Sequence, residues 1–305
     1  MKINAKLAIL FLLLSIFLIS GQQGCPSGTT NTGGTGGTTP STSAQKSGVD
    51  FSFVQGLDYL YSGKKLVQDQ TFYVKVNVEN SDKAPKSITL CLQDNIEDMY
   101  SGLRKECQTL MVKGAVYDSN NKLIEIGSYP ATFGEFKYSS LPISQDITLY
   151  ATATYADQSS ASGQANIPLP ESESISITQS PSPLTVKVQK DVSPREEGYK
   201  VTLGIDLSNT NSGVSITTPD FNKPGLIIDP KLSAQQLDCE YSDIPTKYVQ
   251  FDADRNTKFI RCSALLPKET IAYPFVMQMY YGVKLTKQFT FRVEKQAQMQ
   301  PQGAV

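Results

Sequence analysis

The sequence contains no histidine and no tryptophan, and its charges nearly cancel. Because histidine is the commonest general base and a common transition-metal ligand, its absence disfavours acid–base and metal-dependent enzymes. The 28 Lys and Arg residues are balanced by 29 Asp and Glu residues, so no basic excess favours nucleic acid. We therefore predict a non-enzymatic protein that binds no nucleic acid and uses no metal or cofactor.

Residues 1–25 have the composition of a secretory signal. Lys2 and Lys6 give the segment a positive start, and residues 7–19 form an apolar run interrupted only by Ser15. A membrane-spanning helix needs about 20 apolar residues, so this run is short for a stable span. The segment predicts an extracytoplasmic protein of the cell envelope.

A cysteine, Cys25, directly follows Gly24 at the end of this segment. The junction resembles the lipobox of lipoproteins, although Gln22 stands where that motif has an apolar residue. The resemblance implies lipid attachment at Cys25 and anchoring of the N-terminus in the membrane. Ordinary signal cleavage nearby and an uncleaved N-terminal anchor are the alternatives.

Two further segments lack the apolar residues that a folded core requires. Residues 26–47 consist mainly of Gly, Thr and Ser, and no charged residue occurs between Lys6 and Lys46. Residues 296–305 form a polar, Gln-rich tail. Because such segments cannot bury enough apolar surface to offset their ordering entropy, we predict a flexible tether and a disordered tail.

The rest of the chain alternates apolar and polar residues. In residues 72–80, three valines alternate with Lys75, Asn77 and Glu79, and the run ends at Asn80. A period of two places the valines on one face of a strand. The same pattern recurs at residues 201–209, which end at Asn209.

Further alternating segments extend this repeat. Residues 149–155 correspond to 275–281, and residues 163–167 correspond to 289–293. Short alternating strands in a repeated unit are typical of tandem β-sandwiches. We therefore predict an all-β fold with two Ig-like β-sandwich domains, at 48–169 and 171–295, joined by a short proline-containing connection. Because each has its own alternating strands and its own cysteine pair, we expect each to fold alone.

The five cysteines divide into Cys25 and one pair in each predicted domain. Behind a secretory signal, an even number per domain indicates one disulfide in each. The pairs are Cys91–Cys107 and Cys239–Cys262. A zinc site is the rival interpretation, but zinc favours Cys-x-x-Cys pairs and histidine, and the sequence contains neither.

Three other features of the sequence are candidates for binding sites. Asp94 lies in an acidic cluster with Glu97 and Asp98, and residues 252–256 space three oxygen side chains as a calcium loop begins. The second segment lacks the glycine and glutamate that complete an EF-hand loop, so we interpret it as a hairpin turn, and we interpret the acidic cluster as a solvated surface. Tyr280 has the opposite parity to its buried neighbour and is a candidate for an exposed binding surface.

The strand pattern that ends in asparagine, at residues 74–80 and 203–209, resembles an early strand of CARDB-type and related Ig-like modules. These modules recur in prokaryotic, especially archaeal, cell-surface proteins. The resemblance implies a sandwich that serves as a spacer or adhesion module and carries no catalytic residues. The tether behind the signal is likewise similar to that of surface lipoproteins.

The first interpretation is therefore a membrane-anchored envelope protein that presents two Ig-like domains as a spacer, adhesion or interaction module. The alternative is a secreted ligand- or glycan-binding accessory module, with its site on one sandwich or in a cleft between them. A hydrolase that uses paired carboxylates is a further alternative, although no such pair stands out in the sequence. A pocket lined by paired carboxylates would favour the enzyme, and flat sandwich faces would favour the spacer.

Overall fold

Strands alone build the fold in a computed structural model of the chain, which describes residues 48–54, 66–96, 100–209, 211, 213–251, 257–269 and 271–296. Among these residues there is no α-helix, and hence no helix that could span a bilayer. The predicted all-β class is confirmed. In chain order the strands are β1 Val49–Phe53, β2 Leu66–Val67, β3 Phe72–Asn80, β4 Lys86–Asp94, β5 Glu106–Val112, β6 Val116–Tyr117, β7 Leu123–Glu125, β8 Gly127–Phe136, β9 Gln145–Ile167, β10 Ser172–Ile175, β11 Thr178–Gln179, β12 Leu184–Pro194, β13 Tyr199–Asn209, β14 Val214–Thr217, β15 Leu226–Leu232, β16 Gln235–Gln236, β17 Asp238–Cys239, β18 Tyr248–Val249, β19 Thr257–Leu266 and β20 Ile271–Glu294.

Two small antiparallel sheets contain the repeated pattern at their centres. One has the order β1-β3-β8, and the other has the order β10-β12-β13-β19-β17. The apolar residues of β3 and β13 point inward, as the period of two predicts. The fully buried residues of these two strands include Val76, Val78, Leu203, Ile205 and Leu207.

A ten-stranded sheet covers both small sheets. Six of its strands follow the order β16-β15-β20-β9-β4-β5, and the short strands β2, β11, β14 and β18 pair with members of this path. The two central strands have 23 and 24 residues, far above the usual length of about 3–10 residues. They pair antiparallel without a break, from Gln145 opposite Val293 to Ile167 opposite Ile271. The sequence pattern predicts two strands here, one that ends at residue 155 and one that begins at residue 163. The structure instead has a single strand that runs through both.

Each of these long strands takes part in both halves of the molecule. The C-terminal part of β20 packs on the first small sheet, since the rings of Phe289 and Phe53 lie 5.7 Å apart and those of Phe291 and Phe72 lie 6.0 Å apart. The short strand β2 pairs with the end of β20 at Val293. The last strand of the second repeat thus completes the first sandwich.

The C-terminal part of β9 makes the reciprocal exchange. It pairs with β11 at Ala161 and Ser162, within the second half of the chain. The buried Lys190 of β12 donates a hydrogen bond from Nζ to the carbonyl oxygen of Asn166. The last strand of the first repeat thus completes the second sandwich.

Because of this exchange, the predicted domain bounds do not enclose two separate hydrophobic cores. The described residues belong to one compact unit, and the buried apolar residues of both repeats form one continuous cluster. The connection near residue 170 therefore does not separate two cores in space. Independent folding of 48–169 and 171–295 stays a prediction, and these shared core contacts argue against it.

The asparagine that ends each repeated strand organises the loop after it. Asn80 is fully buried, and its Nδ2 donates to the carbonyl oxygens of Ala84 at 2.9 Å and Lys113 at 3.1 Å. Asn209 likewise donates from Nδ2 to the carbonyl oxygen of Val214 at 2.7 Å. Such side-chain bonds to nearby backbone fix tight loops, which explains why the pattern ends at asparagine in both repeats.

The structure contains both disulfides that the sequence predicts. Cys91 and Cys107 lie directly opposite each other on β4 and β5, and Cys239 and Cys262 lie opposite each other on β17 and β19. The first is partly exposed at the outer face of the ten-stranded sheet, whereas the second is buried. Each disulfide therefore joins two neighbouring strands within one repeat.

Candidate functional site

A cleft of about 890 Å³ opens beside the middle of β9. The β3–β4 loop and the β6–β7 hairpin of the first repeat form one part of its lining, and the β11–β12 loop of the second repeat forms another. Hydroxyl and amide side chains supply half of the lining residues. The lining consists of Ser81, Asp82, Lys83, Ala84, Lys86, Tyr117, Asn121, Asp157, Gln158, Gln179, Ser180, Pro181, Ser182 and Leu184.

Three charged residues of this lining form what we call the Lys86 cluster: Lys86, Asp82 and Asp157. The Lys86 Nζ lies 2.9 Å from Oδ2 of Asp82 and also contacts Oδ1 of Asp157. The lysine side chain is 9% exposed, and the side chains of Asp82 and Asp157 are 21% and 14% exposed. One largely buried ammonium group therefore lies within hydrogen-bond distance of two carboxylates.

Strand parity explains why these charges are buried. Lys86 opens β4 on the same face as the core residues Ile88 and Leu90, and Asp157 lies on the inward face of β9, two residues after Tyr155. Asp82 belongs to the loop that Asn80 organises, and its backbone N–H donates to Oδ1 of that residue at 3.1 Å. Both strands thus carry a charged residue at a position that the pattern assigns to the core.

Burial changes the titration of this cluster. Desolvation raises the pKa of the Asp157 carboxyl above its ordinary value, although the Lys86 charge, the hydrogen bond from Lys86 and the backbone N–H of Gln158 act in the opposite direction. The ring of Tyr155 covers the cluster on one side, with its centroid 5.2 Å from the Lys86 Nζ. The neutral form of Asp157 is therefore more accessible than that of an exposed aspartate.

Two tyrosines that correspond in the repeat lie beside the cluster and make matching contacts. The Tyr155 hydroxyl accepts a hydrogen bond from the backbone N–H of Val49 at the start of β1. The Tyr281 hydroxyl lies 3.0 Å from the Ser182 hydroxyl, just before β12. Burial raises the pKa of both phenols, and that of Tyr281 reaches about 12. Each tyrosine thus connects the central sheet to its small sheet.

The two carboxylates of the cleft are not arranged as the carboxylate pair of a glycosidase is. Both contact the same ammonium group, whereas a glycosidase needs a separate acid and base on either side of a bond. Within the described ranges, no group of three or more Cys, Asp or Glu side chains is placed to hold a metal ion. The lining carries two positive and two negative side chains, so it has no net charge.

The structure assigns a structural role to one member of the predicted acidic cluster. Asp94 is buried and accepts hydrogen bonds from the Tyr138 hydroxyl at 2.9 Å and from the backbone N–H of Leu103 at 2.8 Å. These bonds hold the loop after β4. Glu97 and Asp98 lie outside the described residues.

Other predicted features meet different outcomes. Tyr280 is 39% exposed while its neighbour Tyr281 is fully buried, as their opposite parity predicts. It lies on the outer face of the ten-stranded sheet and does not line the cleft. Cys25, the signal, the tether, residues 252–256 and the tail beyond residue 296 lie outside the described residues.

The Lys86 cluster was not predicted from the sequence. The available signal is a charged residue at an inward position of an alternating strand, as at Lys86 before Ile88 and at Asp157 after Tyr155. That signal identifies candidates for burial, but it does not reveal that β4 and β9 bring them together.

Comparisons with known proteins give little further information. No family model matches the chain, and no curated protein matches it. Among solved structures, the chain is similar to the cycloalternan-forming enzyme from Listeria monocytogenes in complex with a pentasaccharide substrate, at 7% identity and a TM-score of 0.18, over 75% of this chain and 31% of that one. It is also similar to an uncharacterized protein from Listeria monocytogenes EGD-e in complex with glucose, magnesium and calcium, at 9% identity and a TM-score of 0.18, over 78% and 31%. The chain thus spans about a third of these structures, and so low a TM-score carries no argument.

Proposed function

We propose that this protein is a non-enzymatic component of the cell envelope that holds a rigid pair of β-sandwiches away from the membrane. Its N-terminal signal and Cys25 supply the anchor, and residues 26–47 supply the tether. The two sandwiches act as a spacer or interaction module on the extracytoplasmic side.

The observation that carries this proposal is the uninterrupted pairing of β9 with β20. Every residue from Gln145 to Ile167 has a partner between Ile271 and Val293. Bending the molecule between the sandwiches would break backbone hydrogen bonds of both strands, whereas modules joined only by a linker can hinge freely. A rigid unit of this kind can hold its far end at a fixed distance from its anchored end, as a spacer requires.

The two disulfides support the extracytoplasmic part of the proposal. Disulfides persist in oxidising compartments and are rare in the reducing cytosol. Each joins neighbouring strands within one repeat, at Cys91–Cys107 and at Cys239–Cys262. Such bonds suit a domain that must stay folded outside the cell.

Rigidity can be tested with spin labels carried on unnatural amino acids, which leave the native disulfides intact. One label replaces Ser128 of the first small sheet, and the other replaces Lys200 of the second; both side chains are exposed. Pulsed electron resonance should give one narrow distance distribution. The matched control pair, at Ser128 and Ser52 within one small sheet, should give the same width. A broad distribution for the first pair alone would show that the sandwiches hinge.

A saccharide-binding role is a second candidate, favoured by the chemistry of the cleft. Its neutral balance of charge and its hydroxyl and amide groups suit a neutral, hydroxyl-rich ligand, and its volume of about 890 Å³ suits a short oligosaccharide. The test is titration with neutral oligosaccharides. Gln158→Ala should weaken any binding, while Gln164→Ala, on the same exposed face of β9 but outside the cleft, should not.

A further inference from the structure

The Lys86 cluster differs from the other ion pairs among the described residues. Lys86 contacts two carboxylates, and neither the lysine nor Asp157 is more than 14% exposed. Lys190 is even more buried, but it has one carboxylate partner, Glu173, which is 26% exposed. The remaining pairs each contain a side chain that is at least 37% exposed. Among the described residues, only this cluster combines a buried lysine with two carboxylates that are each at most 21% exposed.

We propose that Lys86 and Asp157 are joined by an intramolecular amide bond, and that Asp82 accepts the proton that the lysine must lose. The bond would connect Nζ of Lys86 to Cγ of Asp157. Its formation depends only on the side chains of the cluster, so it does not rest on the proposed function.

The reaction is a condensation that releases one water and involves no oxidation or reduction. Asp82 takes a proton from the Lys86 ammonium, and the freed amine attacks Cγ of the neutral Asp157 carboxyl. The carbon–hydroxyl bond of Asp157 then breaks, and the leaving hydroxyl takes a second proton from the nitrogen. The products are the amide, one water and a protonated Asp82, so charge and atoms balance.

Three features of the site favour this reaction. First, the fold holds the amine against the carboxyl, and well-oriented groups in such contact react with effective molarities of about 10⁵–10⁸ M. Second, burial raises the pKa of Asp157, which favours the neutral carboxyl that condensation requires. Third, the second carboxylate, at 2.9 Å from Nζ, is placed to accept the proton.

At this position, the bond would restrain the movement of β9 relative to β4. Asp157 follows Ala156, which lies opposite Gly282 at the midpoint of the paired long strands. Lys86 opens β4, which pairs with β9 at residues 149–154. An amide between them would fix β9 at the point where it passes from the first sandwich to the second, 71 residues along the chain from Lys86.

Peptide mapping of the whole secreted or membrane-extracted protein tests the proposal. After reduction and alkylation of the disulfides, trypsin should fail to cut after Lys86, because an amidated lysine carries no charge. The digest should contain one branched peptide, in which residues 84–104 are joined to residues 138–187, one water lighter than the sum of its parts. A digest dominated by two separate linear peptides, one ending at Lys86 and the other consisting of residues 138–187, would overturn the proposal. Lys86 and Asp157 would then form an ordinary ion pair.

Two variants serve as matched controls. Lys86→Arg keeps the charge but cannot condense, so its digest should contain residues 138–187 as a linear peptide. Lys190→Arg replaces the other buried lysine and should leave the branched peptide unchanged. A branched peptide that persists in Lys86→Arg, or that disappears in Lys190→Arg alone, would contradict the assignment. Should Lys86→Arg fail to fold, the wild-type digest still decides the question.

Discussion

Ala156 lies directly opposite Gly282, at the midpoint of the paired strands β9 and β20. Towards Gln145 and Val293 the paired strands pack against the first small sheet, and towards Ile167 and Ile271 they pair with β11 and β15 of the second repeat. The two repeats of the sequence therefore exchange the ends of their last strands. The buried apolar residues of both repeats accordingly form one continuous cluster.

Gly282 is required at this midpoint because another residue packs over it. A Cβ added to Gly282 would lie 2.7 Å from the ring of Phe221 and 2.6 Å from the Thr217 hydroxyl. We expect Gly282→Ala to lower the free energy of unfolding by about 1–3 kcal/mol, as overpacking does. Ala156→Ser, at the exposed opposite position, should cost less than about 0.5 kcal/mol. Denaturant unfolding of both variants measures the difference, and Phe221→Ala should reduce the cost in the double variant.

The two strand-ending asparagines should differ in importance according to their burial. Asn80 is fully buried and its Nδ2 has two carbonyl partners, whereas Asn209 is half-buried and its Nδ2 has one. Asn80→Ala removes both of these bonds and the one that Oδ1 accepts from the backbone N–H of Asp82, so we expect a loss of about 2–3 kcal/mol in stability. Asn209→Ala should cost about 1 kcal/mol. Equal losses in chemical denaturation would show that the two loops do not depend on these bonds as proposed.

The buried phenol of Tyr281 should make stability depend on alkaline pH. Its folded pKa of about 12 lies above the unfolded value of 10.0, so the folded state keeps the proton longer. Its contribution to stability is therefore complete below pH 10.0 and is lost as the pH rises towards about 12. Over that window, the unfolding free energy should fall less steeply with pH for Tyr281→Phe than for the wild type. The two slopes should differ by up to about 1.4 kcal/mol per pH unit. Parallel curves would contradict this account of the phenol.

The proposed lipid anchor can be tested at one residue. If Cys25 carries lipid, Cys25→Ser should move the protein from the membrane fraction to the medium, since the apolar run at residues 7–19 is short for a stable span. Fractionation of cells that express each form measures the change. Membrane association that persists in the variant would indicate an uncleaved N-terminal anchor.

The local structure of the fold could be predicted from the sequence, and its long-range pairing could not. The alternation at residues 72–80 and 201–209 fixes which face of each strand is buried, and the cysteine distribution fixes both disulfides. A period of two identifies the buried face, but it does not specify which strand lies alongside. The pairing of β9 with β20 therefore has no signal in either strand alone.

The candidate site shows the same limit. Lys86 and Asp157 occupy inward positions of their strands, and that much is visible in the alternation. Their contact depends on the register of β4 against β9 and on the loop that supplies Asp82. A site assembled from residues 71 positions apart cannot be derived from spacing in one sequence.

The most direct test of the exchanged strands is the folding of residues 48–169 without the second repeat. This fragment lacks the part of β20 that contributes Phe291 and Val293 to the first core. We predict that calorimetry on the fragment shows no cooperative transition near that of the full chain, and that joining residues 282–294 to its C-terminus through a flexible linker restores one. A fragment that melts cooperatively at the temperature of the full chain, without the added strand, would contradict the account.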